Sequence, residues 1–298
     1  MAASQGEFKP VPEKQAQDLP GLEKNMKPPS EATKLEGRGG FSEYKPAKKL
    51  EGNKALITGG DSSRSSGIGR SVAVLFAREG SDVSIVYLPE EQEDAEGTKR
   101  LVEQEGRECQ RIAGNLMDNE TCRRAVQQHV DRFGALHVLV NNASKQVMCD
   151  DITQVDLDMV ESVFRSNILQ MIAVTKYAVA HMGKGASIIN TTSTVAFRGT
   201  KAMVDYAATK GAIVSFTRSL AKQLVAKGIR VNAVAPGPVH TPLQPASRSA
   251  EEMEGFGEKS QIGRPGQPSE VAPSFVFLAS KDSELYYGQV LHAYPLGD

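Results

Sequence analysis

The stretch KALITGGDSSRSSGIGRSVAVLFAREG, Lys54–Gly80, decides the fold. It opens on a short apolar run, Lys54–Thr58, of the kind that forms a buried strand. A polar turn carrying glycines follows, and then Ser71–Arg78, an apolar helical segment that stops at Gly80. Strand, glycine turn and helix in that order begin a βαβ unit. Glycines are needed where a backbone turns tightly and comes close to a pyrophosphate, and the helix N-terminus then offers free N–H groups and a positive dipole end. Gly59, Arg64, Ser66, Gly67, Ile68 and Gly69 are therefore the candidate phosphate-side residues. A plain βα turn uses glycines too, so the turn alone does not decide function.

Working downstream, the alternation continues. Strands are expected at Asp82–Tyr87, Gln110–Ala113, His137–Asn141, Ala186–Thr192, Ile229–Ala235 and Gly288–His292. Helices are expected at Asp94–Glu105, Glu120–Phe133, Val155–Met182 as one long run, Ala202–Lys227 and Glu270–Ser280. Seven strands alternating with helices predict an α/β fold, a three-layer, Rossmann-type doubly wound parallel sheet in a single domain over residues 51–298. Upstream, residues 1–50 hold six of the fifteen prolines and are dense in Lys and Glu. Such a segment is extended and poorly helical. Two readings stand for it: a disordered tail, or an arm lying on a neighbouring subunit through Leu22, Met26, Phe41 and Tyr44.

The chain of 298 residues is 40% apolar, enough for a core of normal size. Lys and Arg number 35 against 36 Asp and Glu. That balance argues against a nucleic-acid surface and a polybasic membrane patch. No apolar run approaches the roughly 18 residues that span a bilayer, and the N-terminus lacks a basic-then-apolar signal pattern. Cys109, Cys122 and Cys149 are unevenly spaced, and the five histidines share no metal-ligand spacing. No metal is expected, and a soluble cytoplasmic protein is.

Tyr206 and Lys210 stand four apart in a helical pattern, hence one turn apart on one face. An ammonium beside a phenol favours phenolate and gives a general acid/base for alcohol–carbonyl chemistry. Ser193, thirteen residues upstream at a strand end, reaches the same C-terminal sheet edge. Either feature alone is common by chance. The second strand ends in Ile85-Val86-Tyr87-Leu88-Pro89 without the acid that usually receives an NAD ribose. Arg64 adds a cation for a 2′-phosphate, so NADP(H) is favoured, while Glu90 and Glu91 keep NAD(H) open.

Together these residues resemble the short-chain dehydrogenase/reductase family over nearly everything from Leu50 to Leu291. The motifs are TG…GIG (Thr58, Gly59, Gly67, Ile68, Gly69), NNA (Asn141, Asn142, Ala143), the helical Asn167, Ser193, Tyr206 with Lys210, and PGPVxT (Pro236 to Thr241). YLPEEQEDAEGTKRL, PGPVHTPL, GQPSEVAPSFVFLAS and PGLEKNM near the N-terminus look most like the glucose/ribitol dehydrogenase-like and aldehyde-reductase-like branch with an N-terminal extension. The resemblance implies that Tyr206 passes a proton to or from the substrate oxygen. It implies that Lys210 lowers the Tyr206 pKa and holds the nicotinamide ribose, that Ser193 polarises the carbonyl, and that Asn167 supports a relay water. It also implies cofactor contacts from Asn115, Asn142, Ala143, Pro236, Gly237, Val239 and Thr241. Segment 241–264 would be the substrate lid, with Leu243, Met253, Phe256 and Ile262 as its substrate-facing candidates. The long helices, with Val163, Ile168, Ile172, Ile213, Phe216 and Leu220, would pair subunits into a homotetramer or dimer. The substrate would be a small carbonyl or alcohol: an aldehyde, a ketone, including one of secondary metabolism, or a sugar.

Three departures qualify the resemblance. Seven residues separate Gly59 from Gly67 where the family has three. The longer loop either bulges outward, folds over a 2′-phosphate, or damages binding; the last would leave a cofactor-binding sensor or scaffold without turnover. NNAG reads NNAS, with Ser144 at the glycine position. The C-terminus lacks the usual Gly-Gly signature, and Tyr286, Tyr287 and Tyr294 are expected to pack at a subunit contact rather than face substrate.

Overall fold

A computed structural model describes residues 7–37, 40–60 and 67–294. The long insertion in the glycine turn, with Arg64 and Ser66, lies outside the described residues. The chain begins with a hairpin of exposed four-residue strands, β1 (Lys34–Gly37) and β2 (Gly40–Glu43), paired antiparallel. The main alternation follows: β3 (Lys54–Thr58), α1 (Gly67–Arg78), β4 (Asp82–Tyr87), α2 (Gln92–Gln104), β5 (Cys109–Ala113), α3 (Asn119–Phe133) and β6 (Val138–Asn141). The second half contains α4 (Leu157–Phe164), α5 (Gln170–Ala178), β7 (Ser187–Thr191), α6 (Val195–Arg198), α7 (Val204–Leu224) and β8 (Arg230–Val234). It closes with α8 (Leu243–Ser247), α9 (Ala250–Met253), α10 (Pro268–Ala279) and β9 (Val290–Leu291).

The seven strands β3 to β9 form one sheet in the order β5-β4-β3-β6-β7-β8-β9, every neighbour parallel. Buried parallel strands must be apolar on both faces, and β4 is buried at all six positions. One core joins the sheet to α1, α2 and α10 through residues such as Phe76, Val102 and Phe275. The other joins it to α3, α5 and α7 through Val126, Val174 and Leu224. The expected fold, single domain and strand count are all present. Local signals set the ends: Asp118 accepts hydrogen bonds from the N–H groups of Glu120 and Thr121 at the start of α3, and Gly134, with φ +73°, ends it.

Two sequence expectations need correction. Val155–Met182 is not one regular helix. It starts at Leu157 behind an Asp156 cap, passes through a π-helical turn at Arg165–Leu169 and ends in a 3-10 turn at Val179–His181. Segment 241–264, expected as the substrate lid, carries two short helices, α8 and α9. Of the apolar residues expected between subunits, Val163, Ile168 and Ile213 are buried within the chain, while Ile172 is exposed beside Leu169 and Leu157.

The described part of the arm is ordered against its own chain. Val11 and Met26 are buried. Glu31 exchanges hydrogen bonds with Gln267 and Ser269, and Ser71 Oγ donates to the Ala32 carbonyl. At its end, the buried Glu79 carboxylate accepts from the Tyr44 hydroxyl and from the backbone N–H groups of Ala47 (3.0 Å) and Lys49 (2.8 Å). No cation lies within ion-pair distance of Glu79 among the described residues, so these donors alone compensate its burial. Glu79→Ala strands them and should lower unfolding free energy by about 2 kcal/mol in urea denaturation, with Glu79→Gln losing less.

Candidate active site

At the C-terminal sheet edge, between β3 and β6, the chain reverses its direction of winding and leaves a crevice. Thr58 and Asn142 tie its two sides together. Thr58 Oγ1 accepts from the N–H groups of Asn142 (3.0 Å) and Ala143 (3.2 Å), and Asn142 Nδ2 donates to the Gly59 carbonyl (3.0 Å). Gly69 explains the need for glycine in this turn. A Cβ there would lie 1.9 Å from the Gly59 carbonyl oxygen, so any side chain would push α1 off the strand.

The crevice divides into adjoining cavities. The first, at the end expected to take adenosine, is lined by Gly59, Tyr87, Leu88, Glu91, Asn115, Ala143 and Ser144 among others. Asn115 Oδ1 already accepts from the Met117 N–H (3.1 Å), which fixes the amide at the rim. The Glu91 carboxylate is buried and accepts from the Leu88 N–H (2.8 Å). The second cavity brings Ile68, Asn142, Ser193, Tyr206, Lys210, Pro236, Gly237, Val239 and Thr241 together. The resemblance implies that Asn142 and Ala143 both line the adenosine-ribose side. In the structure Asn142 faces the second cavity and Ala143 the first. Beyond lies a third cavity of about 320 Å³, sharing Ser193, Tyr206, Gly237 and Gln244 with the second. Leu243 and Phe256 line these spaces, whereas Met253 is packed away from them and Ile262 is exposed.

Tyr206 and Lys210 share one face of α7. Lys210 Nζ lies 5.2 Å from the Tyr206 ring centroid and donates to the Thr191 carbonyl (3.0 Å). The Tyr206 hydroxyl is hydrogen-bonded by Ser193 and Ser144. Burial pushes the Tyr206 pKa up to about 12, against those two hydrogen bonds, which lower it. Burial pulls Lys210 down to about 7. The ammonium sits over the ring and is bonded to the backbone, and desolvation outweighs its charge. At neutral pH Tyr206 holds its proton.

Asn167 is fully buried in the π-helical turn. Its Oδ1 accepts from the Lys145 N–H (2.7 Å), and its Nδ2 donates to the Lys145 carbonyl (2.9 Å) and to Thr209 Oγ1 (3.0 Å). The side chain therefore ties the Lys145 loop to α7. Sequence reasoning missed Ser144 as a contact of Tyr206, having weighed it only for size, and missed the polar cavity residues Gln146, Arg198 and Arg248. His240, next to Thr241, turns away from the crevice and bonds the Pro28 carbonyl of the arm (2.8 Å). The Tyr294 ring covers Gly237, where a Cβ would meet it at 1.8 Å. It packs against Gly237 within the chain and stays part-exposed.

The residues present fit a dinucleotide. Gly59 lines the first cavity, Gly69 lets α1 start close against the Gly59 carbonyl, and adjoining cavities with Ser144 in both walls run from Gly59 to Tyr206. Comparison with known proteins agrees. Residues 63–293 match the family model described as Enoyl-(Acyl carrier protein) reductase. The chain is 45% identical to "Glucose and ribitol dehydrogenase" of Daucus carota over 97% of both chains. It is 48% identical to "NADPH-dependent aldehyde reductase 1, chloroplastic" of Arabidopsis thaliana, over 84% of this chain and 88% of that one. A solved short chain dehydrogenase from Burkholderia cenocepacia in complex with NADP superposes with a TM-score of 0.75 at 30% identity, covering 82% of this chain and 97% of the other.

The Lys210 shift is testable as stability. Its folded pKa is lowered to about 7, against an unfolded value of roughly 10.4. The unfolded chain therefore binds more protons between these values, and stability rises with pH through that window. In cofactor-free protein, Lys210→Met should raise the melting temperature at pH 7, and the gain should shrink as pH approaches 10.

Proposed function

The chain belongs to the short-chain dehydrogenase/reductase family, and on that footing we propose that it is an NADPH-dependent reductase of a small aldehyde, ketone or sugar-like carbonyl. The observation that carries this is the convergence of Ser193, Tyr206 and Lys210 on one cavity, with Ile68 from the glycine turn and Val239 and Thr241 from the loop after β8 in the same wall. A protein that only bound the cofactor would have no use for a buried tyrosine hydrogen-bonded by two serines.

The bound nicotinamide supplies the hydride. The protein's part is to hold the carbonyl and deliver a proton. Ser193 Oγ donates to the carbonyl oxygen and orients it. Tyr206, protonated at neutral pH, gives its hydroxyl proton to that oxygen as negative charge develops there. Ser144 and Ser193 then stabilise the phenolate, and Lys210, poised near neutrality, takes up a proton from solvent water, pairs with the phenolate and returns a proton to it to restore the phenol. Asn167 keeps the Lys145 loop, and with it Ser144, in place. Gly59, Gly67, Ile68 and Gly69 receive the pyrophosphate, Ala143 and Asn115 the adenosine end.

NADP(H) is supported by the missing acid at the end of β4, by the engagement of Glu91 with the Leu88 N–H, and by the names of the relatives. Arg64 would meet the 2′-phosphate. A homotetramer or dimer is supported by exposed Leu157, Leu169 and Ile172. No helix among the described residues is long and apolar enough to cross a membrane, and unpaired cysteines support a reducing compartment such as the cytoplasm.

Tyr206→Phe should reduce kcat/KM for a carbonyl substrate by about 10²–10⁴-fold while NADPH still quenches and saturates in a fluorescence titration. Full activity would refute the proton-donor role. Kinetics with both coenzymes should favour NADPH, and Arg64→Ala should narrow that preference by raising the NADPH KM without changing the NADH KM.

A further inference from the structure

The third cavity has charge as well as room. Two guanidinium groups stand in its wall: Arg198, at the end of α6, and Arg248, just after α8. Both share that wall with Ser193 and Tyr206. Arg248 is part-buried, and its charge is felt at the Tyr206 hydroxyl. Its Nε donates to Gln244 Oε1 (3.1 Å), and its guanidinium lies 5.5 Å from the Phe256 ring centroid. Its two terminal nitrogens have no protein partner among the described residues. Arg198 donates to the Tyr294 hydroxyl (3.3 Å) and lies over that ring at 5.1 Å.

Neither arginine has a carboxylate within ion-pair distance among the described residues. Arg198 is exposed, whereas Arg248 is part-buried, and other partly buried arginines are treated differently: Arg264 is paired with Glu36 and Glu270, Arg78 with Glu43 and Glu105, and Arg107 with Asp82. Buried Arg230 is satisfied by backbone carbonyls of Leu278, Ala279, Ser280 and Ser283. Glu252, the nearest acid to act on Arg248, is held on the Ser249 N–H (3.0 Å). A guanidinium partly withdrawn from water without an anion is costly, and that cost is recovered when a ligand brings one, since charge-assisted pairs to carboxylate and phosphate are strong.

We propose that the substrate carries an anionic group, carboxylate or phosphate, besides its carbonyl, and that Arg248, with Arg198, receives the anion while the carbonyl lies between Ser193 and Tyr206. This rests on the carbonyl-reductase reading above. Arg248 fixes the end of the substrate remote from the chemistry, and its position on the lid makes the lid a selector of charge.

The test compares charged and neutral twins with NADPH and the full-length protein: 4-oxobutanoate against butanal, and glyceraldehyde 3-phosphate against glyceraldehyde. One charged twin should exceed its neutral partner in kcat/KM by about tenfold or more, and which pair shows the preference separates carboxylate from phosphate. Arg248→Gln should reduce that ratio by about tenfold, Arg198→Gln by less, and Arg248→Lys should restore part of it. If the variants do not fold, raising KCl to about 0.5 M should lower kcat/KM for the charged twin and spare the neutral one in the wild type. Ratios near one in both pairs, or a ratio that Arg248→Gln leaves in place, overturn the inference while turnover of the neutral twins keeps the reductase reading. NADPH binding without turnover of any of the four overturns both.

Discussion

The crevice depends on how the strand ends at the winding reversal satisfy their polar groups. Helices cover both faces of the sheet but none covers its edge between β3 and β6. The residues there are polar and buried, and each must find a partner. Asn141 Nδ2 donates to Thr175 Oγ1 and Asn190 Oδ1, Asn190 Nδ2 donates to Thr217 Oγ1, and Thr191 Oγ1 donates to Asn142 Oδ1. With Thr58 and Gly59 this makes a polar seam from β3 through β6 and β7 to α5 and α7. The seam sets the distance between the glycine turn, which meets a cofactor at one end, and α7, which brings Tyr206 and Lys210 to the other. Apart from Asn141 Oδ1, which has no partner, the side chains named here are paired, and such a network permits few alternatives, because each further unpaired member would cost about 1–3 kcal/mol.

The arm supplies a second constraint. It touches the lid and its approach at successive points. The Gly255 N–H donates to the Val11 carbonyl (2.9 Å), the Gln17 N–H donates to the Pro245 carbonyl (2.8 Å), and Glu36 pairs with Arg264 (2.7 Å). Gly21 lies so close to Pro242 that a Cβ there would meet its carbonyl oxygen at 2.6 Å. An extended, proline-rich chain forms few hydrogen bonds with itself, so its backbone groups remain available for the surface it crosses. The same composition that reads as disorder in isolation therefore suits a strap. A lid braced in this way is set before a ligand arrives, and Arg248 and Phe256 are presented on a fixed frame.

The sheet, the helices and the meeting of Ser193, Tyr206 and Lys210 in one cavity were legible because they rest on local pattern: apolar runs for the buried strands, helical spacing for Tyr206 and Lys210, a strand end for Ser193. The features that escaped have tertiary causes. The β1–β2 hairpin is short, exposed and rich in Lys, Glu and Gly, so no apolar alternation marks it. The π-helical turn at Arg165–Leu169 interrupts a pattern that reads as regular, since its extra residue shifts phase by less than a turn. Ser144 and Arg248 belong to the site because folding brings distant segments together: Ser144 follows β6, Arg248 lies about a hundred residues later, and nothing in either neighbourhood points to Tyr206. The arm's destination was illegible for the same reason.

Spacing places Tyr206 and Lys210 on one face of α7 but carries no information about their burial. Both groups are buried, and burial favours the neutral form of each, raising the phenol and lowering the ammonium. The pair therefore rests as phenol and a lysine near its midpoint at neutral pH. On the proposed mechanism this suits reduction better than a standing phenolate. The phenol keeps its proton until an alkoxide, a far stronger base, forms against it. Once that proton leaves, the new negative charge raises the affinity of Lys210 for a proton, because titrations of neighbouring groups are coupled. The lysine acts after the tyrosine, and the burial that makes each reluctant to ionise alone makes their ionisation mutual.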